Sequence, residues 1–138
     1  MAGVEVLGAL AAASQLTEQS LKIAVIISDL YSKVRDTPES IREQSVQVEQ
    51  LIDIARRIKD NPPFQTALVE SILRNCVGEA EKLQEILRKI STAAGDGRVK
   101  KLWKALDGVA KEKRILALFA KLEQEKSSLV LCIGTIDS

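Results

Sequence analysis

Histidine is absent from the chain, and cysteine occurs twice, as Cys76 and Cys132. Without imidazole the usual general base, the usual metal ligand and the usual switch near neutral pH are all missing. No Cys-x-x-Cys pair, no Walker-type glycine loop and no Gly-x-Ser-x-Gly elbow occurs. Carboxylates sit at helical surface spacing beside lysines and arginines, which describes a solvated, salt-bridged face rather than an acid–base pair. Both cysteines lie in apolar surroundings and are expected to be buried, reduced thiols. The residues therefore predict no enzyme, no cofactor and no small-molecule substrate. Two other stretches carry physical chemistry of a different kind. Between Glu5 and Glu18 the chain has no charge, and its residues are mostly small and apolar, from Val6, Leu7, Gly8 and Ala9 through Leu10 to Ala13. Between Arg98 and Arg114, Arg98, Lys100, Lys101, Lys104, Lys111, Lys113 and Arg114 outnumber Asp107 and Glu112.

Each stretch has two readings. The uncharged run is a helix packed in a soluble core, or a helix that packs in one state and enters lipid in another. Twelve uncharged residues span about 18 Å as a helix, short of a hydrocarbon core of about 30 Å. Crossing would require continuation through Glu18 and Lys22 inside an oligomer that shields them, with Glu5 facing a lumen. On this reading Val4, Glu5, Val6, Leu7 and Leu10 are the membrane-active residues. The basic segment is a solvated face, or a contact for anionic lipid made by Arg98, Lys100, Lys101, Trp103 and Lys104.

Composition bounds the rest. The chain has 138 residues, of which 46% are hydrophobic and 28% charged. That suffices for one domain with a real core and argues against disorder. Aromatics are only 3%, so aliphatic side chains must fill that core. A net charge of +1 provides no global drive toward nucleic acid. The first basic residue is Lys22, so a basic signal-peptide start is missing and a cytoplasmic location is the expectation.

Helical periodicity organises the elements. Val4 to Val34 reads as one long helix, with Ser14 to Thr17 as the place for a kink. Leu16, Ile23, Ile27, Leu30, Tyr31 and Val34 form its apolar stripe, while Leu21, Val25 and Ile26 fall outside it. Asp36 or Thr37 is expected to cap a second helix that starts at Pro38 and ends near Lys59. Its seam is Ile41, Val48, Leu51, Ala55 and Ile58, with Gln44 as the one polar member. Pro62 and Pro63 stop it. A third helix starts near Phe64 with a strict heptad seam, Val69, Leu73, Cys76, Ala80, Leu83, Leu87 and Ile90. Gly95-Asp96-Gly97 ends it. A short helix over Arg98 to Leu106 and a last helix over Val109 to Ile133 follow, the latter with Ile115, Phe119, Leu122, Leu129, Ile133 and Ile136 on one seam. No stretch alternates as a strand does. The fold class is all-α, an antiparallel four-helix-type bundle with a short extra helix before the last long one.

These residues also resemble a known family. Val6-Leu7-Gly8, then Tyr31 with Val34, then Asp36, Pro38, Glu39, Ile41 and Arg42 look like the N-terminus of fungal NOD-like receptors. They are similar to the SesA and wider HeLo-like domains. Leu102-Trp103-Lys104-Ala105-Leu106, Lys111-Glu112-Lys113, Leu122-Glu123 and Lys126-Ser127-Ser128-Leu129 look like that family's last helices. The resemblance covers nearly the whole chain. It implies a cell-death execution domain at the head of a larger receptor. Self-association through the full-length receptor gathers such bundles, which then move to the plasma membrane. The alternative is an adaptor bundle that recruits partners without insertion.

Overall fold

The computed structural model describes residues 2–96, 98–106 and 108–137, with residues 2–7 and 137 described by their backbone alone. The first element is the longest. Helix α1, Ala2–Lys33, runs unbroken through Ser14–Thr17, where the Thr17 hydroxyl donates to the Ala13 carbonyl (2.9 Å). At 1.5 Å per residue it is about 48 Å long. Its buried stripe changes character along the way. Ala9, Ala12 and Ala13 are buried in the first half, and Leu16, Ile23, Ile27 and Leu30 in the second.

The turn after α1 is built differently from the sequence expectation. Thr37 does not cap the next helix. Its hydroxyl reaches back to the Val34 and Leu30 carbonyls (3.1 and 3.3 Å), closing the end of α1. Pro38 stands at the N-cap of α2, Glu39–Glu43, without a side-chain cap. Tyr31 locks the turn: its hydroxyl donates to the Pro38 carbonyl and accepts from the Arg42 N–H (2.9 Å). The expected single second helix is split at Gln44, the polar member of its seam, whose amide donates back to the Ser40 carbonyl (3.4 Å). Helix α3, Ser45–Asp60, then buries Val48, Leu51, Ile54, Ala55 and Ile58.

Past α3, Pro62–Phe64 form a single 3₁₀ turn and Gln65 takes the C-cap role that no sequence signal announced. Its buried amide donates to the Ile58 and Lys59 carbonyls (3.0 and 3.1 Å). Helix α4, Ala67–Ala94, starts three residues later than expected because Thr66 is its N-cap, accepting from the Val69 N–H (3.2 Å). Val69, Leu73, Cys76, Ala80, Leu83, Leu87 and Ile90 are all buried. The helix stops at Gly95, whose φ of 78° is one that side chains with a Cβ rarely adopt.

The segment 98–106 is not the helix its pattern suggested. Lys101 pairs its backbone with the end of α1: its N–H donates to Lys33 (3.3 Å), and its carbonyl accepts from Arg35 (2.9 Å). This parallel bridge of Val34 with Lys101 is the only β pairing among the described residues. The Asp36 carboxylate accepts from the Trp103 N–H, and the Lys101 ammonium donates to the Ala93 carbonyl (3.0 Å). Backbone groups committed to α1 cannot close helical turns, so only Trp103–Leu106 form a 3₁₀ turn. Gly108 opens α5, Gly108–Asp137, against the buried Trp103 ring, where a Cβ would lie 2.3 Å from the indole.

Contacts along the helices set the bundle. Gly8 lies beside Glu70, Gln15 and Gln19 donate to Glu81, and Ser91 donates to Asp29, so α1 and α4 run side by side in the same direction. Likewise Gln47 donates to the Phe119 carbonyl (2.8 Å) and Lys126 to Gln50, placing α3 and α5 in parallel. Consecutive long helices are antiparallel, and the fold is all-α, as the seams predict. One contiguous core holds Leu30, Val34, Ile41, Leu51, Val69, Leu73, Leu83, Leu87, Leu122 and Leu129.

Candidate effector surfaces

The expected membrane-active residues fall at one end of the bundle. The side chains of Val4, Glu5, Val6 and Leu7 lie outside the described residues; Leu10 is half-buried. Among the described side chains Ala9, Ala12 and Ala13 are buried, and Gly8 lies beside Glu70. These three alanines bury less apolar area than Leu16, Ile23, Ile27 and Leu30. Among the described residues no helix is long and apolar enough to cross a membrane.

The basic segment lies at the opposite end. Lys101 is tied to Lys33 and Arg35, at the C-terminal end of α1. Arg98, Lys100, Lys101 and Lys104 are exposed. Trp103 is not; at 3% exposure it belongs to the core, so it cannot serve as a lipid contact on this surface. It was grouped with its basic neighbours because they adjoin it in sequence, yet it faces inward over Gly108. Two surfaces that the sequence could assign to one membrane thus sit about one α1 length apart.

Between them α1 carries an apolar strip. Leu21 is 44% and Val25 68% exposed, and with half-buried Ile26 they line a shallow groove closed by Lys22, Gln84 and Arg88. A second apolar groove, of about 310 Å³, lies between the start of α4 and the end of α5, lined by Leu68, Leu131, Cys132 and Ile136. Ile136, expected on the core seam, is 38% exposed there. Cys132 is half-buried rather than buried, because it lines this groove. Cys76 is fully buried, and burial, followed by the nearby Glu125 charge, pushes its thiol up to about 12.

Among the described residues, many ionisable side chains pair along the helices. Glu18 with Lys22, Glu70 with Arg74 and Glu85 with Lys89 are exposed pairs one helical turn apart. Such pairs contribute little each. The Ser91 hydroxyl holds the Asp29 carboxyl below its ordinary value, with Lys33 at 3.0 Å assisting and desolvation opposing. No group of His, Cys, Asp or Glu among the described residues could hold a metal ion. Sequence reasoning missed Gln65, Gln47 and the Asp29–Ser91 pair, because periodicity counts a buried polar residue only as a mismatch.

The described residues form an all-α helical bundle. The chain belongs to the SesA family, described as an N-terminal domain on NACHT NTPases and P-loop NTPases, whose family model matches residues 11–129. No curated protein and no solved structure matches the chain.

Proposed function

We propose that this bundle is the non-catalytic effector domain of a NOD-like receptor. On this reading it executes cell death at the plasma membrane once receptor oligomerisation has gathered several copies. The observation that carries the reading is the build of α1. Its first half has no charge between Glu5 and Glu18, and the buried side chains described there, Ala9, Ala12 and Ala13, are smaller than Leu16, Ile23, Ile27 and Leu30 in the second half. A helix lightly docked at one end can leave the bundle from that end. The uncharged run of one copy is too short to span lipid alone, so the action depends on many copies at once. Family membership supports the coarser part, an N-terminal domain linked to NACHT or P-loop NTPases. The protein would rest in the cytoplasm and move to the plasma membrane on activation.

A second reading has its own observation. Leu21 and Val25 are exposed on the side of α1, in an apolar groove. As an adaptor, the bundle would recruit a partner there and never insert. Leakage of dye from vesicles by a forced oligomer separates the two. The executor reading predicts leakage that Leu10→Glu abolishes and Val25→Asp spares. The adaptor reading predicts no leakage at all.

A further inference from the structure

We infer that the end of the bundle carrying residues 98–114 is a peripheral docking surface for an anionic bilayer. This inference rests on the membrane reading and specifies its resting geometry: the bundle sits end-on, with the first residues of α1 pointing away from the lipid.

The charges converge by folding. Segment 98–106 crosses to the end of α1 through Lys101, and Gly108 starts α5 directly over Trp103. The first two turns of α5 thus stand beside the crossing segment. Arg98, Lys100 and Lys104 from the segment and Lys113 and Arg114 from α5 are exposed, with Lys111 half-buried. Of the acids near this end, Asp96 pairs with Arg98 (3.3 Å), Glu112 accepts from Ser40 (3.5 Å) and Asp36 accepts from the Trp103 N–H, while Glu39 and Glu43 lie on neighbouring α2. Lys101 is excluded because its ammonium caps α4 on the Ala93 carbonyl.

The second feature is aliphatic. Val99 is 79% exposed and Val109 66% exposed. Val99 stands between Arg98 and Lys100, and Val109 one residue before Ala110-Lys111. Exposed aliphatic side chains interleaved with lysines match a lipid interface. The ammonium groups meet headgroup phosphates, and the valines enter the boundary of the acyl region. An acidic protein partner would satisfy the cations and leave both valines unexplained.

The geometry has a consequence for activation. A bundle bound by this end holds Ala2, the start of α1, about 48 Å away along the helix axis. Docking and insertion are then separate events made by opposite ends. The crossing segment, tied to Lys33, Arg35 and Asp36, anchors the C-terminal end of α1.

The test uses the intact chain and mixed phosphatidylserine–phosphatidylcholine vesicles, in co-sedimentation at low and physiological salt. Binding is expected to need phosphatidylserine and to weaken with salt. Lys100→Glu with Lys104→Glu should weaken it at least about tenfold, and Val99→Asn by several-fold. Val130→Glu, exposed on α5 toward the other end of the bundle, should leave it unchanged, and leakage is scored separately on the same vesicles, so failure of the executor reading remains distinguishable. In a Cys132→Ser background, an environment-sensitive dye on Val99→Cys should shift to the blue on vesicles. The same dye on Leu68→Cys, at the far end, should not. Binding only to polyglutamate, binding unaltered by the charge reversals, or a blue shift at Leu68 would each overturn the inference.

Discussion

Cys76 and Cys132 occupy similar apolar stretches, yet their environments differ: one is sealed in the core and the other borders a groove. Burial alone separates their reactivity, since the thiolate is the attacking species. Under native conditions at mild alkaline pH, a thiol reagent is expected to label Cys132 and leave Cys76 untouched; mass spectrometry of the labelled chain checks this. A raised thiol value in the fold also has a sign. The unfolded chain loses the Cys76 proton near its ordinary value of about 8.5, while the fold retains it up to about 12. This contribution is therefore complete below the ordinary thiol range and is lost as pH rises toward the folded value. Asp29 works in the opposite direction. Its carboxyl is held low, chiefly by the Ser91 hydroxyl, so its contribution is present above the ordinary aspartate range and lost as pH falls through the lower folded value. Ser91→Ala is expected to flatten the acid limb of stability against pH and leave the alkaline limb intact. Urea melts across the acid range measure it.

At the scale of the elements, α4 supports the core and tolerates little. Leu83 is fully buried on an unbroken seam, so Leu83→Ala should lower stability by about 2–5 kcal/mol, read from denaturant melts with unchanged slope. The seam was legible in the sequence because its apolar residues recur at strict three- and four-residue intervals, and the fold had no reason to depart from them. The crossing segment was not legible for the opposite reason. Val99, Leu102, Trp103 and Leu106 carry helical spacing, yet Val99 is exposed and Lys101 pairs with α1. Tertiary backbone bonds overrode a local pattern, and nothing nearby in sequence marks Lys33 and Arg35 as their partners. Asp36 was legible as a hydrogen-bonding residue and misplaced for the same reason, since its acceptor role serves Trp103 across the bundle. Gly108→Ala tests this joint. Its Cβ would collide with the indole, so loss of stability and a shifted Trp103 emission are expected in a fluorescence-monitored melt.

At the scale of the whole molecule, the bundle places unlike surfaces at its two ends. The α1 run uncharged from Val6 to Thr17 begins at one, and the basic, valine-bearing crossing segment closes the other. The sequence made both stretches visible but could not show them apart, because distance along a folded chain depends on which helices run parallel. The same arrangement divides stability from output. Among the described residues the large fully buried side chains run from Leu16 onward, with Ala12 in the same core. Ala12→Glu should accordingly lower the thermal melt by burying a charge in that core. The central claim is that the first half of α1 is the element that acts once copies are gathered. Its most direct measurement is killing of a fungal host by a forced oligomer carrying Leu7→Glu and Leu10→Glu, with folding verified by circular dichroism. The account predicts that killing is lost while the helical signal and melt persist. Killing at the parent level by the folded variant would contradict it.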